Sequence, residues 1–174
     1  MNIKNLTIGK NAPEIVNVVV EITKGSQNKY EYDEKEDVIK LDRVLHSPLF
    51  YPADYGFIPE TRSEDGDHLD ALIIATTTFF PGAVIPVRPV AMFNMTDKGE
   101  KDKKIIGVVA DDPRLNQIKG LKDLNEHFPK EASHFFAEYK RLEEKEVVVE
   151  GWEDKDAAME EIKKSQEKYR EEKI

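Results

Sequence analysis

The sequence predicts an α+β fold, a small closed antiparallel β-barrel flanked by α-helices. Runs rich in β-branched and aromatic residues, bounded by turn residues, follow one another up to Val109. The apolar run Val84–Phe93 is interrupted by Pro86 and Pro89, which suits a strongly bent or edge strand of a closed barrel. In the tail, from about residue 126, apolar residues return at helical rather than strand spacing. About seven strands followed by two helices is an α+β order.

Each element has a local reason. Val16 to Ile22 is a β-branched strand after the Asn11-Ala-Pro-Glu14 turn. Gly25 to Asn28 turns the chain into Lys29-Tyr-Glu-Tyr-Asp33. There a period of two sets Lys29, Glu31 and Asp33 on one face and Tyr30 and Tyr32 on the other. Val38 to Val44 returns as a partner strand carrying Arg43 near its end. Phe50 to Pro59 holds Pro52, Gly56 and Pro59 and reads as an irregular, aromatic-rich loop, a type that is usually functional. Ala71–Thr76 is a buried strand, and a charged turn from Thr96 to Lys103 leads to the strand Lys104–Val109. Phe128, Ala132, Phe135, Phe136, Tyr139 and Leu142 line one face of a helix over about residues 126–143. Glu146–Glu150 is a short strand, and Asp154 caps a final helix to about residue 171, with Ala158, Ile162 and Tyr169 as its apolar stripe.

Composition narrows the class. With no repeat and no low-complexity linker, residues 1–174 read as one domain, large enough to bury a core. A net charge of −9 argues against a general binder of phosphate backbones, so an anionic substrate requires cations or a local basic cluster. An OB-type nucleic-acid module, which needs a basic groove, is disfavoured on the same ground. The absence of cysteine removes disulfides and thiol chemistry. No run approaches the length of a membrane span, and no basic segment precedes an apolar one at the start, so the expected location is the cytoplasm. The lack of cysteine and the Lys/Glu-rich C-terminal half fit a heat-adapted source.

The chemistry concentrates in Ser63-Glu-Asp-Gly-Asp-His-Leu-Asp70. Asp65 and Asp67 flank a glycine, so a turning backbone sends both side chains the same way, while Asp70 sits at the mouth of a buried strand. Crowded carboxylates raise one another's proton affinity, and a hard divalent ion, Mg2+ first, relieves the repulsion. An isolated Asp-Gly-Asp is most often a solvated turn; the surrounding constellation decides here. Asp97 and the pair Asp102 and Lys104 form a second acidic cluster, and Lys29 and Arg43 supply cations. Carboxylates gathering metals beside cations gathering phosphate oxygens make a phosphoryl-transfer site. Tyr51 and Tyr55 anchor the aromatic loop, and on the first helix the ring of Tyr139 fits the apolar stripe while its hydroxyl, next to Lys140, can point at a ligand. Neither a Gly-rich phosphate loop nor a nucleophile elbow nor a zinc-type His pair is present.

In order and spacing these residues closely resemble the soluble family I inorganic pyrophosphatases of the prokaryotic type, over nearly the whole chain. The resemblance rests on Asp65-Gly-Asp-His-Leu-Asp70 together with Glu21, Lys29-Tyr-Glu31, Asp42-Arg43, Phe50-Tyr-Pro-x-x-Tyr-Gly56, Met95-Thr-Asp97, Asp102-x-Lys104, His134-Phe-Phe-x-x-Tyr-Lys140 and Glu150-Gly-Trp152. One departure is His68, where the family usually has Pro or Glu, which bears on the rigidity of the loop.

The resemblance implies a five-stranded OB-like barrel. It also implies hydrolysis of pyrophosphate to two orthophosphates by in-line attack of a metal-activated water. Several Mg2+ ions per subunit are implied, with Mn2+ or Zn2+ as substitutes, and a homohexamer with no nucleic-acid or membrane partner. Asp65, Asp70 and Asp102 match the principal metal ligands, and Asp97 and Glu31 match positions holding further or water-mediated metals. Asp67 matches the general base. Lys29, Arg43, Tyr55, Lys104, Tyr139 and Lys140 match positions that hold phosphate oxygens, with Glu21 and Tyr51 in support. A metal-dependent hydrolase of nucleotides or other phosphate esters is the competing enzyme reading.

Overall fold

The computed structural model describes residues 2–172. Among the described residues there are eight strands: β1 (Val16–Ile22), β2 (Asn28–Asp33), β3 (Val38–Val44), β4 (Asp54–Ile58), β5 (Leu69–Ile74), β6 (Val84–Asp97), β7 (Glu100–Val109) and β8 (Val147–Asp154). Two α-helices follow the early strands, α1 (Phe128–Glu138) and α2 (Lys155–Glu172).

Five strands close into a ring in the order β1-β4-β5-β7-β6 and back to β1, with β8 added outside β6, while β2 and β3 pair as a separate ribbon. Every pairing in the ring is antiparallel except β5 with β7, which is parallel and sets Asp70 beside Lys104. The ring closes where Val16–Val19 of β1 pair with Val84–Val87 of β6. Pro86 and Pro89 lie within this bent strand, which shifts register between Pro89 and Ala91. The expected α+β barrel with helices outside it is the fold observed.

Alternation along the strands sorts the core into two faces. Leu72 and Ile106 share a cluster with Phe135 and Phe136 of α1, whereas Ala71, Ile73 and Ile105 pack with Ala158 and Ile162 of α2. Asp70 and Lys104 have the parity of Leu72 and Ile106, so strand geometry aims them toward the α1 side.

Three expectations need correction. The stretch Phe50–Pro59 is not all loop, because Asp54–Ile58 forms β4 and each of its residues is buried. The charged segment Thr96–Lys103 is not a broad turn: β6 and β7 run on to Asp97 and from Glu100, leaving Lys98-Gly99 as the tip. The first helix ends at Glu138, and a single 3-10 turn at Arg141–Glu143 follows, so Leu142 leaves the apolar stripe and is 64% exposed. The expected cap by Asp154 takes another form: its Oδ1 accepts from the N–H of the next residue, Lys155, at 2.8 Å and from the Leu121 N–H at 3.0 Å, and Asp154 itself ends β8. Among the described residues no helix is long and apolar enough to cross a membrane.

Candidate active site

One rim of the barrel collects the charged residues. Asp70 is the second residue of β5, and Asp102 and Lys104 are two apart on β7, hence on one face. The Lys104 ammonium, 2% exposed, donates to Asp70 Oδ2 and Asp102 Oδ1 at 2.8 Å each and to the Tyr55 hydroxyl at 3.0 Å. It also lies 5.3 Å from the centroids of the Tyr55 and Phe136 rings. Burial works against its charge, but Asp102 and Asp70 outweigh burial and raise its pKa above the ordinary value. The Tyr55 hydroxyl donates to Asp70 Oδ2 as well.

Other cation–carboxylate pairs surround this one. Lys140, just past α1, contacts Asp97 at the end of β6, and Asp97 Oδ1 is buried without a hydrogen-bond partner. The β2–β3 ribbon contributes Lys29, paired with Glu31 and 3.4 Å from Asp42, and Arg43, paired with Asp42. Arg43 Nε donates to Glu143 Oε1 at 2.8 Å, and its Nη2 is buried without a partner. Two polar atoms, one acceptor and one donor, are thus inaccessible and unsatisfied in the same rim. In most buried sites such atoms are paired, which sets these two apart from the rest of the rim.

Asp65 and Asp67 stand on the turn before β5. Gly66 between them adopts φ +90°, a backbone conformation that favours glycine, and the Asp67 N–H donates to Asp65 Oδ1 at 3.0 Å. Partial desolvation on the turn raises the pKa of both carboxyls, helped by Asp67 and Asp70 at Asp65 and by Asp70 at Asp67, against the opposing effects of Lys104 and Arg62 respectively. Asp102 is raised by burial and by Asp70 and Asp65, against the opposing effect of Lys104. Glu21 of β1 is the extreme case. Burial first and the charge of Asp70 second push it up to about 8, although its Oε1 accepts from the Tyr32 N–H at 2.7 Å. Burial lowers the pKa of Lys29.

Beneath the rim the tyrosines form a packed layer. Tyr51 meets Tyr55 at 5.5 Å and Phe135 at 4.7 Å between centroids, and Phe135 meets Tyr139 at 5.2 Å. Burial holds the phenols of Tyr51, Tyr55 and Tyr139 well above the usual range, so they stay neutral donors.

The expected site residues therefore divide into those in direct contact and those in electrostatic reach. Tyr55, Asp70, Asp102 and Lys104 touch, as do Asp97 and Lys140, and Lys29 and Glu31. Asp70 acts on Asp65 and Asp67 through charge, and Asp65 acts on Asp102. With the side chains as they stand, no three Asp, Glu, His or Cys groups among the described residues converge closely enough to hold one ion, since Lys104 bridges Asp70 and Asp102. Sequence reasoning gave no role to Glu143, whose side chain is 4% exposed and grips Arg43. It lies in a Lys/Glu-rich stretch that offers no local sign of burial.

A barrel rim of alternating carboxylates and cations over a tyrosine floor defines a class of enzyme that handles phosphate oxygens. The family profile described as Inorganic pyrophosphatase matches residues 18–170. The inorganic pyrophosphatase of Thermus thermophilus is 50% identical over 165 residues, covering 93% of this chain and 94% of that protein. That of Geobacillus stearothermophilus is 46% identical, covering 92% and 97%. A crystal structure of the Thermus thermophilus inorganic pyrophosphatase superposes with a TM-score of 0.94 at 47% identity, covering 98% of this chain and 99% of that one. The chain belongs to the inorganic pyrophosphatase family and is an enzyme.

Proposed function

We propose that the protein hydrolyses inorganic pyrophosphate to two orthophosphates by in-line attack of water, with divalent cations, Mg2+ first. The observation that carries this reading is the Lys104 ammonium held between Asp70 and Asp102 beside Tyr55, in the one rim that also presents Arg43, Lys29 and Lys140. Family membership supports the substrate.

The donor set fits a hard divalent ion. It is all carboxylate, its members raise one another's proton affinity, and Asp97 keeps a buried unsatisfied oxygen. Asp65, Asp70 and Asp102 would hold the principal ions, and Asp97 and Glu31 further ones, with Mn2+ or Zn2+ as substitutes. Bound there, such ions supply charge neutralisation and a more acidic water.

The chain's own groups do the rest. Asp67 is exposed enough to meet a water and accepts its proton at hydrogen-bond distance. Arg43, Lys29, Lys104 and Lys140 offset the charge of the departing phosphate, and Arg43 Nη2 offers a donor already freed of protein partners. Tyr55 and Tyr139 donate to phosphate oxygens as neutral phenols, with Tyr51 packed behind them. Glu21 braces Tyr32 on the neighbouring ribbon. Little covalent chemistry is asked of the protein; positioning and electrostatics carry the rate.

The test is phosphate release from pyrophosphate by purified protein, with Mg2+ and with EDTA. Rapid Mg2+-dependent release supports the reading, and release from ATP or a phosphomonoester exceeding that from pyrophosphate favours the phosphoesterase alternative. A cytoplasmic homohexamer belongs to the same proposal, supported by the absence of cysteine and by exposed Leu41, Val44, Phe50 and Phe80 on the subunit surface. Light scattering giving a monomer would remove the assembly.

A further inference from the structure

Asp65 and Asp67 are carried by a short turn rather than by a strand or helix. A site that must hold side chains to about 0.5 Å is poorly served by a free turn, so something outside it has to fix it. Within the turn, the Ser63 N–H donates to the Asp67 carbonyl at 2.8 Å and the Gly66 N–H to the Ser63 carbonyl at 3.3 Å. The external anchors come from a distant part of the chain, the last turns of α2.

Arg62 is the hub of that contact. Its N–H donates to the Ser165 carbonyl at 2.8 Å, its Nε to Glu172 at 2.8 Å, and its Nη1 to both Glu34 and the Gly66 carbonyl at 3.1 Å. The guanidinium lies 5.4 Å from the Tyr169 ring centroid. The Gly66 carbonyl belongs to the residue between the two aspartates. Lys168 adds a bond to the Ser63 carbonyl at 2.5 Å. At the other end of the turn, His68 Nδ1 lies 2.9 Å from the Thr61 carbonyl oxygen and its Nε2 lies 2.8 Å from Glu34, and a neutral ring donates to one of the two. Its ring stacks on Phe57 at 4.9 Å. A planar fork with fixed donors is the side chain suited to hold a carbonyl, two carboxylates and a ring at once.

We propose that Arg62, with His68, Lys168 and Glu172, is a latch by which the end of α2 positions Asp65 and Asp67. These are positioning residues, and the inference rests on the hydrolase reading, in which Asp65 and Asp67 act. The ion pairs are partly exposed and add little stability. Their effect lies in where the turn sits, and through it in the affinity for the ion that Asp65 helps to bind. Groups that orient metal ligands typically alter metal affinity about 10- to 100-fold when removed.

The experiment uses the full chain and three variants: Arg62→Ala, Arg62→Lys and the double variant Lys168→Met/Glu172→Gln. Mg2+ binding to substrate-free protein is read by titration calorimetry, alongside kcat, KM for pyrophosphate and the melting temperature. Arg62→Ala is expected to weaken Mg2+ binding on the order of tenfold and to lower kcat more than it raises KM. The lysine variant restores less than half of the loss, because an ammonium cannot span the same acceptors. The double variant moves in the same direction by a smaller factor, and decides the matter if Arg62→Ala does not fold. An unchanged Mg2+ isotherm and kcat, with or without a lower melting temperature, overturns the latch while leaving an active wild type as a pyrophosphatase. A wild type that releases no phosphate overturns the hydrolase reading and the latch's role with it.

Discussion

Arg43 and Glu143, 100 positions apart, meet through an Nε–Oε1 bond of 2.8 Å, and Arg43 is left with one buried nitrogen unpartnered. Burial opposes ionisation of Glu143, yet Arg43 and Lys145 outweigh it and hold its pKa below the usual value. In the proposed reaction the unpartnered Nη2 serves a phosphate oxygen while Glu143 holds the guanidinium through Nε.

Replacing Arg43 by Ala removes both functions. A hydrogen bond to a charged group is worth about 1.5–3 kcal/mol, so kcat/KM for pyrophosphate is expected to fall on the order of ten- to a hundredfold. The same change strands Glu143 with Lys145 alone, 3.3 Å away, and lowers stability. Adding Glu143→Gln should recover most of the lost stability in a urea melt and none of the lost kcat/KM. Recovery of both would assign Arg43 a structural role only.

In the proposed reaction Asp67→Asn keeps shape and removes the proton acceptor. General-base loss typically costs 10²–10⁴-fold, so turnover should drop by about that factor while the Mg2+ binding isotherm stays close to wild type. A variant turning over at full rate removes Asp67 as the base.

Glu21 sets a pH dependence of the metal-free protein. Its carboxyl titrates near 4.5 when unperturbed and at about 8 in the fold, so between these values the folded state binds the extra proton. Stability therefore falls as pH rises across that window, with a slope approaching about 1.4 kcal/mol per pH unit, and the loss is complete above the folded value. In EDTA, melting temperatures measured from pH 5 to 8 should decline, and Glu21→Gln, whose amide oxygen can still accept from Tyr32, should flatten the decline. A wild-type profile that rises through this range would contradict the assignment.

Gly56 of β4 tests the packing that holds Tyr55. A Cβ there would lie 1.9 Å from the Val19 carbonyl oxygen and 2.8 Å from its carbon, both backbone atoms of the adjacent strand. Gly56→Ala is expected to cost at least about 3 kcal/mol in denaturant unfolding, or to prevent folding, because a strand cannot step aside as a side chain can. A loss under about 1 kcal/mol would mean that β1 and β4 separate readily.

That glycine also explains what local reading missed. Pro52, Gly56 and Pro59 look like loop punctuation, but Gly56 marks a close approach of two strands, which depends on a partner far away in sequence. Similarly, the charges from Thr96 to Lys103 look like a solvated turn until β6 and β7 pair and direct alternate residues into the rim. The acids and cations that meet at the rim could be named from sequence because their order and spacing resemble the family motif. Glu143, Arg62 and the end of α2 were not, since each acts across more than 90 positions of sequence on a partner that only the folded chain supplies.

The parallel pairing of β5 with β7 has a directional consequence. Because both strands leave the same end of the barrel, Asp70 enters from one and Asp102 and Lys104 from the other at a single level. Lys103, one residue away, points oppositely and pairs with Glu161 on α2 at 2.6 Å. Sliding β7 by one position would exchange these two lysines, sending Lys104 to the outer helix and turning Asp102 away from Asp70. The charge balance of the rim is thus stored as an alignment between two strands, and anything that disturbs that alignment would silence the site without altering a residue in it.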